Sequence, residues 1–252
     1  MRTPEPNVYP ASLQNLGGPD RWPRSTSELS KCTALLVLVF VLLAGAGLAS
    51  GTPVVGALFA HAVILTQLWA PMARADQVGR PVATLGLHPK GWGEELGVAG
   101  ALAAVLLPLW AVALVCARPL WAHWGLGPAA VAPWGLGGWA TAQWLLAQIL
   151  GVALPEELFW RGYVQPVLEA RFGGRAWGPR ALHFDRGTAL CTLLFALGHV
   201  VGGAGPLALG TFLPGCVFAL LRNRAGSICA AVTLHASCNL FAAATLQTFD
   251  GF

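Results

Sequence analysis

Apolar residues run in long unbroken stretches along this chain, and polar positions gather between the stretches rather than alternating within them. The stretches fall near residues 33–50, 54–72, 95–116, 138–160, 188–203, 206–221 and 227–247. A helix that crosses a hydrocarbon core about 30 Å thick needs roughly 20 such residues. The pattern therefore predicts an all-α fold, a polytopic membrane helix bundle of seven transmembrane helices, or eight if one is split. The fifth and sixth stretches are short and are separated by Gly202-Gly203-Ala204-Gly205-Pro206, a strong breaker, so a re-entrant hairpin is the alternative there. Either version leaves the following loop on the same side.

Composition agrees with that class. The chain is 56% hydrophobic and only 10% charged, where soluble domains carry about 25% charged residues. Residues 1–31 are rich in Pro, Ser and Gly and hold no apolar segment of the signal-peptide kind. They are expected as a mobile cytosolic N-terminal tail, with 32–252 as the integral membrane domain and the first span as an uncleaved anchor. Every Lys and Arg except Arg118 falls in this tail or in the second, fourth and sixth connections. The positive-inside rule then puts the amino terminus in the cytoplasm and the carboxyl terminus outside. A net charge of +4 needs no nucleic-acid partner, because loops that face anionic lipid head groups account for it. The six cysteines are scattered without a C-x-x-C pair, which predicts free thiols in the core rather than a disulfide scaffold.

Against this apolar background, the second half keeps polar residues at depths where each costs a few kcal/mol. They read Glu156-Glu157-x-x-x-Arg161, Phe195-x-x-x-His199 and His235-x-x-x-Asn239. Glu157 and Arg161 stand four apart, so on a helix they share a face and can pair, while Glu156 points about 100° away. That division predicts one carboxylate neutralised by Arg161 and a second free to act as a base. Glu94-Glu95 is a control, with Ala99 where the arginine would stand, and reads as the charged start of a span. His199 lies about 16 Å into its run at 1.5 Å per residue, and His235 and the glutamates enter from the same end. His235 and Asn239 share a face and offer two donors to one point, as a developing oxyanion requires. Phe195 is expected as a wall of the pocket, and His61 in the second run as an interhelical hydrogen bonder.

The three motifs, in this order and in successive spans, resemble the CPBP group of intramembrane proteases, which includes type II CAAX prenyl proteases and bacterial bacteriocin-processing or immunity relatives. The resemblance covers roughly residues 138–247, with Leu85-Gly86-Leu87 a faint echo in the first half. It implies a glutamic-type endopeptidase in which Glu156 is the general base and His199 holds and polarises the attacking water. His235 and Asn239 would stabilise the oxyanion, with Glu157, Arg161 and Phe195 in support. Such enzymes have also been described as metalloproteases, and a glutamate with two histidines is a zinc-capable set. The absence of H-E-x-x-H and the presence of an asparagine favour metal-free activation, so no cofactor is expected, with zinc as the alternative. The resemblance further implies a membrane-associated protein or peptide substrate at a bacterial inner membrane. The bond cut would lie in a C-terminal sorting tag of the myxosortase kind, a prenylated tail or an N-terminal leader.

Two other function classes are weighed beside the protease. A proton or ion pathway also uses Glu and His within spans, but the halves of this chain show no symmetric broken helices. A non-catalytic immunity or scaffold protein on the same fold remains the alternative, since fold does not imply activity. Neither a serine in a G-x-S-G setting nor a span aspartate is present for other intramembrane chemistries.

Overall fold

A computed structural model of the chain describes residues 22–23, 25–88, 91–123, 138–174 and 184–249. Within them run seven helical rods, in the order that the hydropathy predicts. They are α1 (Thr26–Leu48), α2 (Pro53–Gln77), α3 (Trp92–His123), α4 (residues 138–172), α5 (Arg186–Ala204), α6 (Pro206–Ala225) and α7 (Cys229–Phe249). No strand occurs among the described residues. Five rods, α1, α2, α3 over Trp92–Ala113, α5 and α6, are long and apolar enough to cross a membrane. The protein is an all-α membrane helix bundle.

Local chemistry sets where the rods begin and end. Ser25 Oγ accepts the Glu28 N–H at 3.1 Å, an N-cap that starts α1 well ahead of the apolar run. Of the expected tail, residues 1–21 and 24 lie outside the described residues, and Thr26–Lys31 form the opening turns of α1. Asp185 caps α5 by accepting the Thr188 N–H at 2.9 Å. The glycine-rich breaker acts as predicted, since Gly203 (φ 94°) and Gly205 (φ 76°) turn the chain between α5 and α6. α6 stops at Gly226, whose left-handed φ of 70° ends the helix.

The rods pack around α4. Residues 157–169 of α4 are buried without a break, and the main apolar core gathers on Leu158, Phe159, Trp160, Tyr163, Val164, Val167 and Leu168. α1 packs on α2, α5 and α6 pair, and α7 lies against α3, α6 and the first half of α4. Large apolar side chains such as Val41, Leu58, Trp69, Leu109 and Val112 remain exposed on α1 to α3. In water that much bare apolar surface would drive association, and in lipid it is the solvated face. All six cysteines are free, with Cys116 exposed and Cys32 and Cys191 buried.

α5 approaches the end of α4 at Gly187, where a Cβ would lie 2.5 Å from the Glu169 backbone. Gly187→Ala is therefore expected to lower stability by about 1–3 kcal/mol or more. Gly97→Ala, whose Cβ would meet nothing within 4 Å, should leave stability unchanged or raise it slightly. Thermal unfolding in detergent micelles compares the two, and equal midpoints would remove the tight α4–α5 contact from the account.

Candidate active site

α4 is not a uniform helix. Gly138–Leu146 opens into wide π-type turns over Ala147–Ala153, tightens over Leu154–Glu157, widens again over Leu158–Val164 and closes as Gln165–Phe172. Each wide stretch ends just ahead of a proline, Pro155 or Pro166. A proline has no N–H to donate and crowds the carbonyl four residues back, so the ladder upstream has to open. The glutamate pair thus sits in a tight turn between two wide ones, and wide turns of this kind recur at functional sites.

Glu157 and Arg161 are both 0% exposed and form the ion pair that their spacing predicts, Arg161 Nε to Glu157 Oε2 at 3.4 Å. Arg161 Nη2 also donates to Gly215 O at 3.2 Å, and its guanidinium lies over the Phe195 ring, 4.3 Å from the centroid. Gly215 leaves little spare room for this approach, because a Cβ there would lie 3.3 Å from Arg161 Nη2 and 3.0 Å from the Thr192 side chain. The second oxygen of Glu157, Oε1, is 2.8 Å from His235 Nδ1. A carboxylate only accepts, so Nδ1 carries the proton.

Glu156 has a different environment. Its side chain is 20% exposed, and its Oε2 lies 3.8 Å from His235 Nε2 without a hydrogen bond. His235 therefore stands between the two carboxylates with one nitrogen towards each. Its ring stacks on Phe218, centroids 5.1 Å apart, and meets Phe195 edge-on at 6.1 Å.

His199 closes the α-helical part of α5 and is followed directly by wide turns over Val200–Ala204. Its Nδ1 lies 3.0 Å from Phe195 O. That carbonyl can only accept, so Nδ1 carries the proton and Nε2 keeps its lone pair. The ring packs edge-on against Phe195 at 4.7 Å. Phe195 thus touches Arg161, His199 and His235 together. Asn239, one turn beyond His235, takes a separate partner, its Nδ2 donating to Gln148 Oε1 at 3.4 Å.

Glu156, Glu157, Arg161, Phe195 and His235 are brought into one connected cluster, His199 joins it through Phe195, and Asn239 reaches α4 two turns upstream of the glutamates. Gln148 was not singled out in the sequence, although a polar residue inside the run 138–160 was the available signal. Glu95 departs from its reading as a simple span start. It is buried and accepts the Ala230 N–H at 3.2 Å, so it caps α7, while Glu94 pairs with Arg224 at 3.1 Å. His61 departs too. It is exposed, and its Nδ1 bonds Ala57 O of its own helix at 2.6 Å. A residue's depth in a span can be counted from the sequence, but the side of the helix that faces lipid was misjudged there.

Among the described residues no three His, Cys, Asp or Glu side chains form a group that could hold a metal ion, and no step is routed through one.

Residues 138–241 match the family model described as type II CAAX prenyl endopeptidase Rce1-like. No curated protein and no solved structure matches the chain. The matched segment holds all of the residues in the cluster.

Breaking a buried ion pair by removing one partner costs roughly 3–5 kcal/mol, because the other charge is stranded. Arg161→Met should therefore destabilise the protein strongly in thermal unfolding. The double variant Glu157→Gln/Arg161→Met strands no charge and is expected to unfold at a higher temperature than Arg161→Met alone. A double variant no better than the single one would show that packing, not charge, makes Arg161 necessary.

Proposed function

We propose that this chain, whose residues 138–241 match the type II CAAX prenyl endopeptidase Rce1-like family model, is an intramembrane protease of the CPBP family that hydrolyses a peptide bond with a water molecule activated by Glu156 as general base. One observation carries this reading. Of two adjacent carboxylates, Glu157 is fully buried and neutralised by Arg161, whereas Glu156 is partly exposed, has no cation of its own and faces His235. A base must be reachable and free to take a proton, and only Glu156 meets both conditions.

In this reading Glu156 takes a proton from water as the water oxygen attacks the scissile carbonyl carbon. The lone pair on His199 Nε2 accepts the second hydrogen of that water and aims it. The carbonyl electrons move to oxygen, where the amide of Asn239 donates to the developing negative charge together with His235, which must then carry a proton on Nε2 as well as on Nδ1. Glu157 holds His235 in orientation from the far side, and Gln148 does the same for Asn239. Collapse of the tetrahedral intermediate breaks the C–N bond, and the departing nitrogen takes its proton back from Glu156. Stabilising an oxyanion with fixed donors in a water-poor site is usually the largest catalytic contribution, about 10²–10³ in kcat per donor.

The family implies a membrane-associated protein or peptide as substrate. The basic connections fall on one side of the spans, which by the positive-inside rule is cytoplasmic, and in this reading the site is entered from that side. The scissile bond would then lie at or just inside the inner leaflet, in a C-terminal tail or tag or in an N-terminal leader of the client.

Terminus-resolved mass spectrometry of the membrane proteome tests this, with wild type and Glu156→Gln compared at equal expression. Uncleaved precursors are expected to accumulate in the variant while the folded protein stays abundant in membranes. Unchanged termini everywhere would shift the assignment to a scaffold or immunity protein. With a client in hand, Gln148→Leu is expected to lower kcat by up to about 100-fold through a misplaced Asn239, with KM little altered. A rise in KM alone would make Gln148 a substrate contact instead.

A further inference from the structure

We propose that the short strap after α2, residues 82–88, is a positioning element of the active site, locking the helix that carries Glu157 and Arg161 to the helix that carries His235. The strap lies outside the residues matched by the family model. It contains a turn of 3-10 helix, Val82–Leu85, followed by Gly86 in the left-handed region.

Each of its central residues is fastened to a different part of the site's scaffold. Leu85 is fully buried, and its carbonyl comes so close to α4 that a Cβ on Gly162 would lie 2.7 Å from it. Gly162 follows Arg161 directly, so this contact fixes the wide turn from which Arg161 reaches Glu157. The Thr84 carbonyl accepts from Arg222 Nη2 at 3.3 Å, at the end of α6. The Gly86 carbonyl accepts from Ile228 N at 3.2 Å, at the start of α7. His88 Nε2 donates to Gly226 O at 3.3 Å, in the turn between α6 and α7.

Both glycines are required by these approaches. Gly86 has φ +87°, and a Cβ on it would meet Ile228 N at 3.0 Å. Ile228 immediately precedes α7, seven residues before His235. The strap is thus a short spacer with one side on α4 beside Arg161 and the other on α7 below His235. The His235–Glu157 contact, 2.8 Å across those two helices, depends on the width of that spacer. A shift of about 0.5 Å would take it outside the usual hydrogen-bond range, whereas apolar helix packing would tolerate it.

This inference rests on the cluster being the active site, but its test reads the geometry of the cluster and not turnover, so the two readings fail separately. In protein labelled with 15N at histidine and held in nanodiscs, the proton on His235 Nδ1 should give a downfield resonance, assigned by its loss in His235→Gln. Gly86→Ala widens the spacer, and His88→Phe removes one fastening while keeping a ring. Both are expected to shift or abolish the resonance. Gly79→Ala imposes the same kind of strain, φ +66°, with nothing within 4 Å of the new Cβ, and should leave it in place. An unchanged resonance in Gly86→Ala and His88→Phe would overturn the proposal, as would an equal change in Gly79→Ala or no such resonance in the wild type. Should Gly86→Ala fail to fold, His88→Phe decides alone.

Discussion

A guanidinium with no access to solvent, that of Arg161, constrains everything around it. Arg is never deprotonated in proteins, so the charge has to be met where it lies. Glu157 meets it with a carboxylate, Gly215 with a carbonyl, and Phe195 with the negative face of its ring. These partners come from α4, α6 and α5. One cation therefore sets the separation of three helices, and His235 of α7 is added through the free oxygen of Glu157. The consequence for chemistry is indirect. With Glu157 committed to this network, the neighbouring Glu156 is left outside the ion pair with Arg161 and partly exposed.

The backbone of α4 makes that division work. Two neighbouring glutamates on a regular helix would project about 100° apart. Here Pro155 and Pro166 force wide turns on both sides of the pair, and the wide turns let one helix face several neighbours at once. His199 adjoins a third set of wide turns at Val200–Ala204. Helix irregularity in lipid is tolerated only where neighbouring groups restore the lost bonds; the wide turns of Leu158–Val164 are buried throughout, whereas Ala147–Ala153 and Val200–Ala204 also present exposed apolar residues such as Leu150 and Val201.

Much of this was legible in the chain itself. Seven apolar runs became seven rods among the described residues, five of them long and apolar enough to cross a membrane, because without water helices are the cheapest way to satisfy every backbone group. Glu157 and Arg161 paired as their spacing implied. What stayed hidden were partners supplied from far along the sequence. Glu28 pairs with Arg74 at 2.6 Å and accepts from Tyr163, 135 residues away, at 3.1 Å. Glu95 caps α7 from a separation of 135 residues. Glu169 accepts from Gln165, Thr188 and Asn223. Each of these carboxylates sits near the end of an apolar run, where ordinary exposed charges also sit, so sequence alone did not separate them. Asn239 stands one turn after His235, but its partner Gln148 is upstream on α4, and here the two motif residues take separate hydrogen-bond partners.

These hidden contacts explain how a bundle with an apolar exterior fixes the register of its helices. Apolar helix faces in lipid gain little from one alignment over another, because lipid tails are as apolar as leucine. Polar groups behave differently, since one without a partner in a dry interior costs several kcal/mol. α4 presents three polar layers in succession: Glu157 with Arg161, then Tyr163, then Gln165 with Glu169. The first is answered by α5, α6 and α7, the second by α1 and, through Glu28, by α2, and the third by α5 and α6. Sliding any one of those helices by a single residue would break a layer and leave both halves unsatisfied. The layers that carry no proposed chemistry thus serve the one that does, because they hold α4 at the depth and rotation where Glu156 faces His235.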